Sequence, residues 1–503
     1  MTPGTPLPAR AGSAVITAAA LQDDARLLRR CLEAVHPGLY RYNTPEELDH
    51  RFAELLQTFA TDRTRAEAFV AFTRFAAAIR CGHTFPNPYN QGKAAMADLT
   101  AGRNRLPFRF RWLGRRMIVT GVYPGAEAIM PGTEVLSVNG TPAEAILTAL
   151  FPLARADGGN DGKRTSQLEL RGEDRYEIFD FLFPVLFPVQ GEQLELLVRA
   201  PGEAEATRQT ISAMTDGDRS AAYAAQQQAE KADDAPLWTL ENRDGIAYLR
   251  MPTWVTYHTK WDWKSSIRSI FDRLVNENTP NLVIDLRGNE GGTAVGDEIL
   301  ARLISSPVPW SDNERFVRYI KTPTELNTAL DTWDDSFRDR SGEIIGEVDL
   351  APRQPGLAPG TTDGFYLLRE TDESGKPVIE GMIEPAGPRY LGKVYVLVDA
   401  DNSSATFSFA RMAQRIGVAT IVGRPTGGNQ RGINGGAYFF VRLPGSGLEI
   451  DLPQIGYYPK LGLSAPRADA GVTPDVLVEL TADDIAGGRD PDMSAVKRLI
   501  QEK

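Results

Sequence analysis

The 503-residue sequence has little cysteine, little histidine and no long apolar run. Its two cysteines, Cys31 and Cys81, are too few for a disulfide scaffold or a zinc ribbon; one disulfide or two buried thiols are both open. Its four histidines, His36, His50, His83 and His258, form no cluster with metal-ligand spacing, and neither a metal nor a cofactor is expected. No window reaches the roughly 18 uninterrupted apolar residues of a membrane-spanning helix. Positive charge is also short. The 55 Lys and Arg stand against 66 Asp and Glu, a net charge of −11, which argues against nucleic acid or an anionic membrane as partner.

What is present is ordinary globular composition, 42% hydrophobic and 24% charged, in a chain long enough for two to four domains. The first 19 residues, with one Arg and a short Ala-rich run, read as a disordered lead or the remnant of a signal peptide. Three helices are predicted over residues 20–82. Leu21, Ala25, Leu28, Leu32 and Val35 recur at helical spacing. Thr44-Pro45-Glu46-Glu47 and Thr64-Arg65-Ala66-Glu67 have the form of capping boxes, each opening a helix. Residues 105–212 alternate short apolar runs with turns, including an Asn139-Gly140 hairpin signal. Residues 213–236 are polar and Ala/Gln-rich, a helical or flexible linker. Between residues 306 and 390 the run Glu325 to Arg338 is acidic and helix-like, and Pro352 to Gly360 is rich in turn residues.

Two stretches carry chemistry. The first is NLVIDLRGNEGG, Asn281 to Gly292: a buried strand closed by a glycine-rich loop. Gly288, Gly291 and Gly292 allow a backbone to come close to a ligand and aim N–H groups at an oxyanion. The second is KVYVLVDADNSSATFSFARMAQRIGVATIVGRPTGG, Lys393 to Gly428. Val394 to Val398 reads as a strand, Asn402-Ser403-Ser404 breaks it, and Ala405 to Ile416 reads as a helix ending at Gly417. Ser403 or Ser404 then sits at a helix N-terminus, as an N-cap or as a nucleophile facing free N–H groups.

Together these stretches resemble the S41 family of serine peptidases, the C-terminal-processing or tail-specific proteases. The first is similar to the family's DLRGNxGG loop, the second to its serine elbow and VGxxTxG segment, and GVTPDV, Gly471 to Val476, to its closing GVxPD motif. The resemblance implies Ser404 as nucleophile, followed by Ala405 as in the family's Ser-Ala pair, with Gly291, Gly292 and Ala405 forming the oxyanion hole. Phe407 stands where the family usually has Glu. HPGLYRY and the helical hairpin after it resemble the branch containing tricorn and the interphotoreceptor retinoid-binding proteins. In that branch a Gly-His-Thr segment supplies the catalytic histidine, which falls here on His83. The other branch uses a Lys in a TxGKG segment; Asn429 occupies that position. Gly132 to Gly140 resembles the core of a PDZ-like domain, which takes an extended peptide as an added strand.

The third catalytic member implied by the branch is an acidic residue before GVxPD. Asp469 is the nearest candidate, the motif position itself being Ala468, and Glu449 and Asp451 stay open. Gly82 stands where tricorn-like members have Ser. The expected architecture is a multidomain α/β protein. Residues 20–90 are an N-terminal helical domain, 105–212 a PDZ-like domain and 237–485 an S41-type catalytic domain with a ClpP/crotonase-type ββα spiral; 486–503 are a tail or helix. The expected activity is serine endopeptidase action on peptides or unfolded protein tails, in a periplasmic or secreted setting. The rivals are a catalytically silent binding protein on the same scaffold and an esterase. No oligomeric state follows from the sequence.

Overall fold

The computed structural model describes residues 14–227, 235–354, 356–371, 377–378, 381–462 and 467–502. Three helices open it, Ala18–Val35, Pro45–Thr58 and Arg65–Ala78. Thr44 and Thr64 both close complete capping boxes, with Glu47 and Glu67 returning to the cap N–H; four orphan helix donors are thereby satisfied locally. Within the lead expected over residues 1–19, Val15–Ile16 pairs antiparallel with Arg63–Thr64 and Thr17 caps the first helix; residues 1–13 lie outside the described residues.

A six-stranded antiparallel sheet follows, in the order Phe108–Leu113, Arg116–Val122, Glu134–Val138, Gln193–Arg199 and Thr207–Ser212, with Thr141–Pro142 paired to Glu134–Val138 off this path. Asn139 and Gly140 turn with positive φ at both residues, 48° and 76°, the tight turn that an Asn-Gly pair favours. Three helices interrupt the expected run of strands and turns: Ala143–Leu150, Asp161–Ser166 and Ile178–Leu186. The last is apolar almost throughout and carries Pro184, so its sequence has no readable period. Of the expected linker, Met214–Thr215 pairs with Arg103–Arg105 and residues 216–227 form a helix; residues 228–234 lie outside the described residues.

The next sheet has six strands, in the order Thr239–Arg243, Ile246–Arg250, Asn281–Asp285, Lys393–Val398, Thr420–Gly423 and Val476–Leu477. The first pair is antiparallel and all others are parallel. Alternate residues of the strands go to opposite faces. Leu282, Ile284, Val394 and Val396 pack with Phe271, Ile299 and Phe409 of the helices Trp263–Asn276, Val295–Ala301 and Ser404–Arg415. Val283, Tyr395 and Leu397 pack with Met493 and Val496 of the C-terminal helix Pro491–Gln501. Covering both faces explains the continuous apolar runs in the sequence.

The third six-stranded sheet is built on the long hairpin Asn434–Leu443 and Leu448–Pro459. Phe439, Val441, Ile450 and Leu452 share a core with Leu21, Ala25 and Leu28 of the first helix. Asp24 also accepts the N–H groups of Gly445 and Ser446, at 2.8 and 2.6 Å. The helical region is thus fixed to the sheet that lies beside the catalytic stretches. The acidic run Glu325 to Arg338 is not a helix. It makes two single 3₁₀ turns, Thr324–Leu326 and Asp335–Arg338, around a short strand, Leu330–Asp331, which pairs with the hairpin; sheet-edge pairing overrides a weak helical pattern. Among the described residues no helix is long and apolar enough to cross a membrane.

Candidate active site

The strand Lys393–Val398 ends in a turn that enters the helix Ser404–Arg415. Ser404 takes φ = +51° there, a left-handed conformation that costs an L-residue roughly 1–2 kcal/mol. The neighbouring hydrogen bonds hold it. Asn402, fully buried, donates through Nδ2 to Leu286 O and Asn289 O, at 2.5 and 3.0 Å, and accepts Asp399 N at 2.8 Å. Thr406 Oγ1 lies 2.9 Å from Asn289 O. The hydroxyl of Ser403 is committed to Glu290 O at 3.1 Å, whereas Ser404 Oγ has no hydrogen-bond partner among the described residues. Of the two serines, Ser404 is the one left free for chemistry.

The glycine-rich loop presses against this elbow. A Cβ on Gly291 would sit 2.9 Å from Ala405 N and 3.0 Å from Ser404 Cβ; one on Gly292 would sit 2.4 Å from Trp254 O. Both have positive φ, 103° and 133°, so glycine is required at each. The N–H of Gly291 is donated to Asn289 Oδ1 at 2.9 Å. Ala405 lies in the first turn of its helix, where N–H groups have no intrahelical acceptor.

His83 follows the third helix on a tight turn. Its ring lies 6.0 Å from that of Tyr438, and its buried Nδ1 has no hydrogen-bond partner among the described residues. Burial lowers its pKa, the charge of Asp157 opposes that, and Arg155 adds to the lowering. No hydrogen bond joins His83 to Ser404 or Asp469 among the described residues. Asp469 instead accepts Gly159 N at 2.8 Å and Asn429 Nδ2 at 2.6 Å, with Arg431 at 3.8 Å. Asp157 accepts Gly82 N at 2.9 Å, directly beside His83. Asp451 receives the side-chain amides of Asn87 and Asn90, at 2.9 and 2.7 Å, and burial pushes its carboxyl up to about 6. It holds the segment after His83 rather than His83 itself. Glu449 pairs with Arg442 at 3.4 Å. Asn429 occupies the alternative lysine position and donates to Asp157 O at 3.2 Å.

Phe407 is buried against Ile433 and Val472. Cys31 and Cys81 are both buried free thiols; Cys81 Sγ accepts from Asn434 Nδ2 at 3.3 Å. His258 stacks edge-on with Tyr257, 4.5 Å between centroids, on the loop that continues from Trp254. Sequence reasoning missed Asp157, Arg155 and Lys163. Their stretch, ArgAlaAspGlyGlyAsnAspGlyLys, shows only turn-forming residues, and nothing local places it beside residues 82 and 290.

Ser404 thus stands on a strand-to-helix elbow with positive φ, against a glycine loop and at a helix N-terminus, an arrangement that has the parts serine hydrolysis requires. Residues 245–478, just under half of the chain, match the peptidase family S41, and this part of the chain is a serine-type peptidase domain. Among solved structures, mature CPAF superposes with a TM-score of 0.61 at 16% identity, over 96% of this chain and 97% of that one. CPAF complexed with lactacystin gives 0.61 at 16%, over 96% and 98%. The photosystem II D1 C-terminal processing protease gives 0.40 at 15%, over 95% and 96%. The likeness to CPAF is one of fold across the whole chain. No curated protein matches the sequence.

Proposed function

We propose that the chain is a serine endopeptidase acting on peptides or unfolded protein tails, with Ser404 as nucleophile and His83 as its general base. The observation that carries this reading is the conformation of Ser404: a left-handed residue at a helix start, its hydroxyl unengaged, in contact with Gly291. As Oγ attacks the scissile carbonyl, its proton passes to the neutral imidazole of His83 and then to the leaving amine. The charge developing on the carbonyl oxygen is received by the backbone N–H groups of Ala405 and Gly292, Gly291 shaping the loop while its own N–H stays on Asn289 Oδ1. Catalytic hydrogen bonds are commonly loose without substrate and tighten on binding, which accommodates the separate positions of Ser404 and His83. Asp157 supports the imidazolium, and Asp469 holds the Asp157-Gly158-Gly159 turn through Gly159 N.

We assign residues 105–212 a PDZ-like role. Gly132 to Gly140 supports it, as does strand Thr207–Ser212, which is paired on one side only and lies at a sheet edge. An added peptide strand fits such an edge. The ββα-spiral reading of the catalytic domain is supported by its parallel sheet with helices on both faces.

The deciding experiment is labelling with a fluorophosphonate serine probe, followed by mapping of the modified residue and assay on an unfolded casein-type substrate. Modification of Ser404 with casein cleavage is the expected result. Failure to label would favour the silent binding protein, and labelling with ester but not peptide turnover would favour the esterase.

A further inference from the structure

The segment from Arg155 to Gln167 lies outside the residues matched to the peptidase family, yet it reaches every part of the site. Arg155 Nη1 donates to Gly82 O, and Asp157 accepts Gly82 N at 2.9 Å, so the residue before His83 is held by both backbone groups. Asn160 Nδ2 donates to Thr426 O and Gly428 O, at 2.9 and 2.8 Å. Ser166 Oγ donates to Asp401 Oδ1 at 2.6 Å.

Lys163, 3% exposed, stands at the centre. Its Nζ donates to Glu290 Oε1 at 2.7 Å and to Asp401 O at 3.2 Å. Glu290 immediately precedes Gly291, and Asp401 lies on the turn leading to Ser404. One ammonium therefore ties the glycine loop to the serine elbow. Glu290 is held further by Gln167 Nε2 at 2.6 Å and Arg155 Nη2 at 3.2 Å.

The charges agree with this role. Burial lowers the pKa of Lys163 and Arg155 adds to that, while Glu290 opposes both. Burial would raise the carboxyl of Glu290, but Lys163 and Arg155 hold it well below the usual range. A buried charge needs a partner with good geometry; Lys163 is buried, and the more exposed Glu290 carboxylate is that partner. A lysine acting as base would need a free lone pair on Nζ, whereas this one spends its protons on two acceptors.

We propose that Lys163 is a positioning residue for the hydrolysis, fixing the spacing between the oxyanion loop and Ser404 from outside the peptidase domain. The proposal rests on the Ser404 reading above. A misplacement of about 1 Å between such groups costs on the order of 100-fold in rate. Lys163→Met should therefore lower kcat about 100-fold and leave KM within about twofold, since Lys163 sits behind the reacting groups. Lys163→Arg keeps a cation that cannot serve as a base and should recover most of the rate. Glu290→Gln, nearly isosteric, should lose as much as Lys163→Met, and the double variant should be no worse than either single one, because both remove one link.

The measurements are kcat and KM on a fluorogenic peptide, the rate of fluorophosphonate labelling, and the melting temperature of each full-length variant. A kcat for Lys163→Met within threefold of wild type, or additive losses in the double variant, would overturn the proposal. So would a Lys163→Arg protein as inactive as Lys163→Met at native melting temperature, which would indicate proton transfer by Lys163. If the probe on wild-type protein maps to a residue other than Ser404, the reading of the nucleophile has failed, independently of how the Lys163 variants behave.

Discussion

Asn402 fastens the serine elbow to Asn289: its Nδ2 lies 3.0 Å from Asn289 O and 2.5 Å from Leu286 O. Both acceptors belong to the end of the neighbouring strand and its loop, so nucleophile and oxyanion donors are set by one buried amide. Asn402→Ala leaves the N–H of Asp399 without a partner, while Leu286 O keeps Asn289 N and Asn289 O keeps Thr406 Oγ1. One unsatisfied buried group costs about 1–3 kcal/mol, and a loss on the order of 2 kcal/mol is expected in urea unfolding. A loss below about 1 kcal/mol would mean that the elbow holds its shape without this side chain.

The strain at Ser404 separates stability from activity. Ser404→Gly and Ser404→Ala should both abolish hydrolysis, but glycine relieves the left-handed backbone at φ = +51°. The glycine variant should be more stable than the alanine variant by about 1 kcal/mol. Equal melting temperatures would show that the conformation is not strained. Turnover by Ser404→Ala with Ser403→Ala inactive would exchange the two serines.

Acid should silence the enzyme late. Burial holds His83 below the ordinary histidine value of 6.5, against the pull of Asp157, and catalysis needs the neutral ring. The acid limb of kcat/KM should therefore have its midpoint below pH 6.5. Asp157→Asn removes the charge that favours the imidazolium, so the midpoint should move lower still; an upward move contradicts the assignment. Stability follows the same sign. As pH falls below 6.5 the unfolded chain binds protons that folded His83 refuses, so stability declines. His36, pushed down to about 3 by burial and Arg41, extends that decline toward pH 3.

Gly292→Ala places a methyl carbon 2.4 Å from Trp254 O in a conformation that alanine resists. The loop must shift, and kcat should fall by at least about 100-fold, the scale of losing one oxyanion donor. Near-native kcat in this variant would place the oxyanion elsewhere.

The thiols should be silent. Burial pushes Cys31 up to about 12 and raises Cys81 as well, so neither offers a thiolate at neutral pH. Ellman's reagent should titrate both only after unfolding, and a reducing agent should leave the melting temperature unchanged. Rapid reaction of either thiol in the native protein would contradict their burial.

The parts of the site legible in the sequence are those made by short-range chemistry. Apolar runs stopped by Asn402 and by Gly288 marked strands ending in functional turns, and the Thr44 and Thr64 capping boxes marked helix starts within a residue. What could not be read is pairing across the chain. Lys163 meets Glu290 over 127 positions and Asp157 meets Gly82 over 75, and no local pattern records either. Asp469, reached through the motif that follows it, bonds to Gly159 and Asn429 instead of His83. Where a surface run such as Glu325 to Arg338 was charged and weakly periodic, pairing with a sheet edge decided its form.

The distribution of the site along the chain also governs when it can exist. His83 and Lys163 lie in the first third of the sequence and Ser404 some 320 residues after His83. At synthesis rates of about 5–20 residues per second, the nucleophile leaves the ribosome roughly 16–64 s after the histidine. On the proposed assignment, a nascent chain therefore carries the base long before its nucleophile, and hydrolysis cannot begin until Ser404 has been made and folded.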